Sequence, residues 1–96
     1  MMSEIIAPVI RRAVLDFLAD VGGEHNDHVL SLQLAGLGHR VARRDVRDMF
    51  TWLADRGLVT VDQLGPYLAA TITPDGIDVA GSVLRIEGIS RHKTGV

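Results

Sequence analysis

Residues 38–47 read GHRVARRDVR and place four arginines within eight positions, with no lysine among them. A guanidinium group donates hydrogen bonds from a planar fork, which fits a phosphate or the edge of guanine better than the point charge of an ammonium does. The whole chain has a formal net charge of −2, so the basic cluster is a local feature. Its chemistry points to contact with a nucleic acid through one short element.

A predicted helix carries these arginines. From Arg43 onward, apolar residues recur at intervals of three and four, and these are Val46, Met49, Phe50 and Leu53. With that stripe turned inward, the opposite face begins with Arg44 and Arg47 in the first two turns, where the positive end of the helix attracts anions. The helix is expected to stop at Arg56-Gly57, because glycine takes the left-handed cap conformation without a steric penalty.

The cluster is predicted to form a nucleic-acid-binding site. Arg44 and Arg47 are placed to fork onto guanine in a major groove. Arg40 and Arg43 are better placed for backbone phosphates. His39 lies in the preceding turn and offers either a donor to phosphate or a cap, and Thr51 shares the outward face. The predicted contact set is His39, Arg40, Arg43, Arg44, Arg47 and Thr51.

A second interpretation of the same helix needs no nucleic acid. Three aspartates stand among the arginines and could pair with them to give an ordinary solvated face, and the pairs would join Asp45, Asp48 and Asp55 to Arg44, Arg47 and Arg56. Exposed pairs of this kind contribute only about 0.3–0.5 kcal/mol each. The absence of lysine favours planar recognition over solubility, but both interpretations stay open at this point.

Other patterns in the chain do not specify a reaction. There is no cysteine, which excludes disulfides, thiolate metal sites and cysteine nucleophiles. His25 and His28 lie beside two acids, but two imidazoles without a third spaced ligand are a weak metal pattern, so loop solvation is expected. Ser31 and Ser82 have no base at a suggestive spacing, and no glycine-rich phosphate loop is present. We therefore expect no enzyme activity, no metal site and no cofactor.

Two further helices are predicted before the arginine cluster. The segment PVIRRAVLDFLADVGG has apolar residues at helical spacing, with Arg11 and Arg12 mostly on the opposite face and Gly22 as the stop. Asn26 is a good amino-terminal cap for a second, shorter helix that ends by Gly38. Ala42 is a poor cap for the third helix, since it has no side-chain oxygen.

A β-hairpin is predicted after the third helix. LVTVD and YLAATIT alternate apolar and polar residues on either side of QLGP, where Gly65 and Pro66 break the chain. Thr73 then caps a short closing helix, with Pro74 at its first position. Trp52 and Tyr67 are assigned to packing instead of base stacking.

The closing helix is expected to end near Gly81, and the stretch VLRIE after it is expected to form one short strand before a polar tail that frays. The domain is therefore placed at residues 1–82, followed at residues 83–96 by the strand and the tail. Its fold class is α+β, a winged helix-turn-helix with the order α-α-α-β-β-α, in which a hairpin follows the second helix of the helix-turn-helix as the wing.

At GHRVARRDVRDMFTWLADRGLVTV the chain resembles winged-helix proteins of the ArsR and MarR type. Their recognition helix commonly ends in leucine, an acid-basic pair, glycine and the first wing strand, and the matching residues are Leu53, Asp55-Arg56, Gly57 and Leu58-Val59. The runs NDHVL, GHRV, RDVR and WL look more closely like a family of small winged-helix proteins of Mu-like bacteriophages and prophages. That resemblance covers nearly the whole chain and implies a winged-helix fold and a phage or prophage setting.

The chain departs from the resembled families in two ways. DNA-binding wings usually carry basic residues, yet residues 57–81 contain none and include Asp62, Asp75 and Asp78. Phosphate contact by the wing is therefore not expected. The cysteine or histidine-acid metal sites of ArsR proteins have no match in this chain, so metal sensing is not expected either.

These observations define the expected partners. The leading expectation is a DNA-binding transcription regulator in the cytoplasm of a bacterial host, with double-stranded DNA as its partner and no membrane association. Four phosphate contacts would give a salt slope of roughly −0.9 × 4, about −3.6 per protomer. Because the net charge is −2, tight binding is expected to need a homodimer. The alternative is a winged-helix module that binds a phage or host protein and no DNA, which the acidic wing favours.

Overall fold

The computed structural model describes residues 3–91 and gives an α+β domain. Within those residues there are four helices and a three-stranded antiparallel sheet of order β1-β3-β2. The helices are α1 (Ala7–Val21), α2 (Asp27–Gly36), α3 (Arg43–Asp55) and α4 (Pro74–Ala80), and the strands are β1 (Glu24–Asn26), β2 (Val59–Leu64) and β3 (Tyr67–Ile72).

The observed order is α-β-α-α-β-β-α, so the predicted order α-α-α-β-β-α lacked one strand. The missing strand, β1, pairs with β3 in the register Glu24↔Thr71, His25↔Ala70 and Asn26↔Ala69. Its sequence EHN has neither alternation nor β-branched residues, which are the local marks of a strand. It is extended because the free edge of β3 supplies the hydrogen-bonding partners, and that is a tertiary effect.

The predicted helix boundaries are confirmed at their caps. The Asn26 side-chain oxygen accepts from the Val29 amide at 2.9 Å, and the Thr73 hydroxyl accepts from the Gly76 amide at 3.1 Å. Gly22 ends α1 with a φ of 72°. Each cap satisfies backbone groups that would otherwise lack a partner at a helix end.

The predicted hairpin is also confirmed. Leu64 pairs with Tyr67, so the two strands are joined by the two residues Gly65 and Pro66. Gly65 has a φ of 60°, which a glycine reaches without strain and which the short turn requires. The central strand of the sheet is β3, and its Ala69 and Ala70 are buried small residues.

One core joins the helices to the sheet. The predicted inward face of α3 is buried, with Val46, Phe50 and Leu53 fully inaccessible and Met49 3% exposed. The other large apolar residues with no more than 1% exposure are Val14, Leu15, Leu18, Leu30, Leu34 and Leu58. Burying side chains of this size stabilises the fold by about 1.5–3 kcal/mol each, before the loss of conformational entropy is counted.

Arg11 and Arg12 are buried, whereas the helical pattern placed them on the solvent face of α1. The segment after α4 lies across this face and supplies backbone oxygens to both side chains. Arg12 donates to the Ala80 carbonyl at 2.6 Å and to the Ser90 carbonyl at 3.2 Å, and Arg11 donates to the Gly88 carbonyl at 3.1 Å. Arg12 also pairs with Asp16 at 3.0 Å.

The strand predicted at VLRIE is wrong, since residues 83–91 form turns and bends. Both edges of β3 are already paired, with β1 and β2, and the carbonyls of this segment are used by arginine side chains of α1. To join the sheet as a strand, residues 83–87 would have to pair with β1 or β2, the two outer strands. The predicted fraying of the tail falls in part on residues 92–96, which lie outside the described residues.

Gly76 is expected to be sensitive to substitution because α4 approaches the sheet closely there. A Cβ at this position would overlap the Leu58 carbonyl oxygen and lie 2.6 Å from Ile72 Cγ1. We predict that Gly76→Ala lowers the free energy of unfolding by about 1–3 kcal/mol, measured by urea denaturation.

Gly36→Ala is the matched control, since Gly36 is the last residue of α2 and a Cβ added there would meet no other side chain within 4 Å. It should leave stability unchanged or raise it by up to about 1 kcal/mol. Equal stabilities of the two variants would contradict the packing argument.

Candidate nucleic-acid interface

The amino-terminal end of α3 follows α2 after a short turn. Gly38 has a φ of 90°, and the His39 amide donates to the Leu34 carbonyl at 2.8 Å, which closes the carboxyl end of α2. Ala42 precedes α3 and gives no side-chain cap, as the sequence predicts. The first-turn amides of α3 therefore have no side-chain oxygen from the cap residue.

Two of the arginines are free to contact a ligand. Arg40 and Arg44 are exposed, and neither makes a hydrogen bond or ion pair with any described residue. Thr51 is also exposed, and its hydroxyl donates to the Arg47 carbonyl at 3.2 Å. His39 is half-buried, and its Nε2 has no hydrogen-bond partner among residues 3–91.

The other two arginines, Arg43 and Arg47, turn toward the hairpin. The sequence places Arg47 on the outward face of α3, but in the structure both side chains have hydrogen-bond partners within the chain. Arg43 donates from Nε to Asp27 Oδ2 at 3.1 Å and from Nη2 to the Pro66 carbonyl at 2.9 Å. Arg47 donates from Nη1 to the same two oxygens, at 3.4 Å and 3.1 Å. We call Asp27, Arg43, Arg47 and Pro66 the arginine clamp.

Two further contacts extend the arginine clamp along the hairpin. The Arg43 guanidinium lies 4.9 Å from the centre of the Tyr67 ring, within the range of a cation–π contact. Arg47 Nη2 lies 3.4 Å from Gln63 Oε1. The clamp therefore fixes the turn of the hairpin beside the amino-terminal half of α3.

Asp27 is the member of the arginine clamp that the sequence did not single out. It is the first residue of α2, directly after the Asn26 cap, and it is fully buried. Its Oδ2 accepts from both arginines, while its Oδ1 has no hydrogen-bond partner in the described part of the chain. An acid in the first turn of a helix is common on the surface, so only the fold reveals this one as a buried anion.

The arginines lower the pKa of Asp27. Burial alone would raise the pKa of the carboxyl, because the charged form loses hydration. The hydrogen bond and charge of Arg43 oppose this, together with the nearby backbone N–H of Leu68 and the hydrogen bond from Arg47. These contacts outweigh the burial, so the pKa of Asp27 lies below its ordinary value and the clamp contains a charged carboxylate at neutral pH.

The alternative pairing of Arg44, Arg47 and Arg56 with the aspartates of α3 is not what the structure shows among residues 3–91. Asp45 and Asp48 line a cavity of about 160 Å³ together with residues of α1. Arg56 stacks 3.4 Å from the centre of the Trp52 ring and donates to the Trp52 carbonyl.

Trp52 has the packing role that the sequence predicts. Its ring lies close to two guanidinium groups, with Arg11 at 4.0 Å and Arg56 at 3.4 Å from the ring centre. Gly88 packs at the edge of the ring. These contacts occupy the indole and leave little room for a nucleic-acid base to stack on it.

His25 and His28 do not come together as a metal site. His25 Nε2 lies 2.6 Å from the Gly22 carbonyl oxygen, to which it donates, and its ring meets Phe17 edge-on at 5.1 Å between centres. No group of three or more histidines and acids that could hold a metal ion is found among residues 3–91.

Comparison with known proteins gives two relatives. The chain is 36% identical over 93 residues to the uncharacterized protein gp26 of Escherichia phage Mu, and the match covers 97% of each chain. The chain belongs to the family of phage Mu gp26. It is also 34% identical over 71 residues to an uncharacterized protein of Haemophilus influenzae, with 73% of this chain and 70% of the relative covered.

Membership of the gp26 family confirms the phage association that the sequence resemblance implies. No family model matches the chain. The winged-helix, ArsR and MarR parts of the resemblance stay predictions, because the names of the gp26 relatives state neither a fold nor an activity. Among residues 3–91, no helix has the length and apolar character needed to cross a membrane.

The stability of this gp26 relative should depend on the ionisation of Asp27. Its pKa in the folded chain lies below the value of about 3.9 expected in the unfolded chain, so the charged clamp stabilises the fold above that pH. The contribution is lost as the pH falls through the folded pKa. We predict that the difference in unfolding free energy between the parent and Asp27→Asn narrows as the pH is lowered from neutrality to below about 4.

Urea unfolding at a series of pH values measures this difference. Asp62→Asn removes an exposed carboxylate from β2 and serves as the control for loss of a charge without a clamp. A parent-to-variant difference that is the same at every pH would contradict the role assigned to the Asp27 charge.

Proposed function

We propose that this phage-associated chain is a winged helix-turn-helix protein that binds double-stranded DNA and regulates transcription. Three features support the fold assignment. The helices α2 and α3 are joined by a turn that contains Gly38, the β2–β3 hairpin follows α3 directly, and β1 completes the sheet from before α2. This order of elements favours a helix-turn-helix followed by a wing, in which α3 would be the recognition helix.

The observation that carries the proposal is the exposure of Arg40 and Arg44 at the amino-terminal end of α3, without a partner in residues 3–91. In a helix-turn-helix, the amino-terminal residues of the second helix contact base edges in the major groove. Arg44 in the first turn is assigned to guanine, and Arg40 in the preceding turn is assigned to a phosphate. Neither guanidinium has to leave an internal acceptor to make these contacts.

The arginine clamp changes the role assigned to the other two arginines. Arg43 and Arg47 hold the hairpin turn and Asp27, so they orient the wing beside α3. With two available arginines, the salt slope becomes roughly −0.9 × 2, about −1.8 per protomer, instead of about −3.6. Affinity would then fall about 12-fold per protomer between roughly 50 and 200 mM salt. A homodimer on two half-sites would double this contact set.

A protein-interaction module is the second candidate, and α2 favours it. This helix contains no lysine or arginine, and it exposes Val29 by 37% and Leu32 by 60%. Leu37, just beyond the helix, is 45% exposed. Apolar side chains exposed on one helix are typical of a surface that meets another protein, whereas the first helix of a helix-turn-helix crosses the DNA backbone.

We predict that Arg40→Ala combined with Arg44→Ala weakens binding to the DNA upstream of its own gene by roughly 5- to 150-fold, the range for loss of one guanine contact, with a shallower salt slope. Stability should stay within about 0.5 kcal/mol of the parent, since both side chains are exposed. A mobility shift at two salt concentrations measures both effects.

Arg85→Ala combined with Arg91→Ala is the matched control. It removes the same total charge by changing two exposed arginines that lie outside α3, in the closing segment, residues 81–91. This control should bind almost as the parent does. If the folded Arg40, Arg44 variant retains the affinity of the parent, the DNA-binding assignment is wrong.

For the second candidate, Leu32→Glu should abolish capture of a defined phage or host polypeptide, because a charge on the exposed face of α2 cannot be desolvated in an apolar contact. Ile77→Glu changes a side chain of similar exposure, 51%, on α4 and should leave the capture intact. This candidate replaces the first if the parent also shows no salt-dependent DNA retention at about 50 mM salt.

A further inference from the structure

The tip of the hairpin is held to α3 by polar contacts. Every residue from 60 to 67 is exposed, so no side chain of the tip is buried in the core. The connections come from Arg43 and Arg47, which both donate to the Pro66 carbonyl, and from the approach of Arg47 to Gln63. The position of the tip therefore depends on where these two guanidinium groups are directed.

Asp27 directs them. Its carboxylate lies beneath both arginines, is fully buried and takes one donor from each on Oδ2. A carboxylate and a DNA phosphate offer a guanidinium the same acceptor, an anionic oxygen that strengthens the hydrogen bond. Asp27 thus supplies, from within the chain, the anionic oxygen to which both arginines donate.

The carboxylate has an advantage over an incoming phosphate. Its desolvation is already part of the folded state, and withdrawal of both arginines would leave a buried charge without compensation. The side chains of Arg43 and Arg47 are 40% and 35% exposed, so DNA phosphates can approach them but meet groups whose donors are already in use. The clamp contributes a summed charge of +1, from two arginines and one aspartate.

We infer that Asp27 is a specificity-determining residue that competes with DNA phosphates for Arg43 and Arg47 and so keeps both arginines off the DNA. This inference rests on the proposed DNA-binding function. Contact with phosphates carries no sequence information and supplies most of the non-specific affinity. By occupying half of the arginine cluster, Asp27 lowers non-specific retention and leaves the contact to Arg40 and Arg44.

The test is the salt dependence of binding to a DNA duplex of unrelated sequence, measured for the parent and for Asp27→Asn. Asparagine keeps the shape and an acceptor oxygen but not the charge that holds both guanidinium groups. For the parent, affinity should fall about 12-fold per protomer between roughly 50 and 200 mM salt. For Asp27→Asn, four available arginines should steepen this fall to roughly 150-fold and raise affinity at the lower salt.

Two sets of controls separate release of the arginines from a general change in charge. Asp62→Asn removes one negative charge from the exposed hairpin and should keep the slope of the parent. Arg43→Gln and Arg47→Gln, made singly, should also leave the salt slope of the parent unchanged. In the Asp27→Asn background, each should make the slope about 0.9 less negative.

Equal slopes for the parent and Asp27→Asn overturn the inference while the Arg40, Arg44 test still stands for the proposed function. If Asp27→Asn does not fold, the single arginine variants of the parent decide the matter. If either arginine variant makes the salt slope about 0.9 less negative than that of the parent, the inference is overturned. An unchanged slope supports it. A parent with no salt-dependent retention overturns both proposals.

Discussion

A buried negative charge sets the arrangement of two of the four arginines in the cluster, Arg43 and Arg47. Asp27 is removed from water at the start of α2, and a carboxylate in that position requires donors from elsewhere in the fold. Arg43 and Arg47 supply them from α3, and their remaining donors reach the hairpin turn at Pro66. One ionised group therefore links three segments of the chain, the start of α2, the start of α3 and the hairpin turn.

The same requirement explains how a chain of net charge −2 carries a local basic cluster. Half of the cluster balances a buried acid and belongs to the architecture of the domain. The other half, Arg40 and Arg44, meets solvent. A count of arginines in the sequence treats the four as equivalent, but burial of a single acid divides them into two pairs with different chemistry.

The sequence was a reliable guide wherever a local pattern decides the structure. The Asn26 and Thr73 caps, the two-residue turn at Gly65 and the apolar face of α3 each depend on residues within a few positions of one another. The phage association followed from short matched runs spread over the chain and agrees with the relationship to gp26.

Features decided by contacts between residues distant in sequence were not predicted. The strand β1 exists because β3 has an edge to offer, and EHN shows no strand pattern of its own. The placement of Arg43 and Arg47 depends on Asp27, 16 and 20 residues earlier. Helical periodicity gives the face on which a side chain starts, but a long, flexible arginine can turn to an acceptor that periodicity does not include.

The contacts of the buried Arg11 and Arg12 with the closing segment also bear on how the chain folds. Arg11 and Gly88 are 77 residues apart, and the Ser90 amide bonds to the Pro8 carbonyl. Contacts of such separation carry a high cost in loop-closure entropy, so they form after the local helices and the hairpin. If this segment docks late in folding, its contacts are absent from the transition state, and such contacts act mainly by slowing unfolding. We therefore expect the two arginines of α1 to affect the lifetime of the native domain more than its rate of folding.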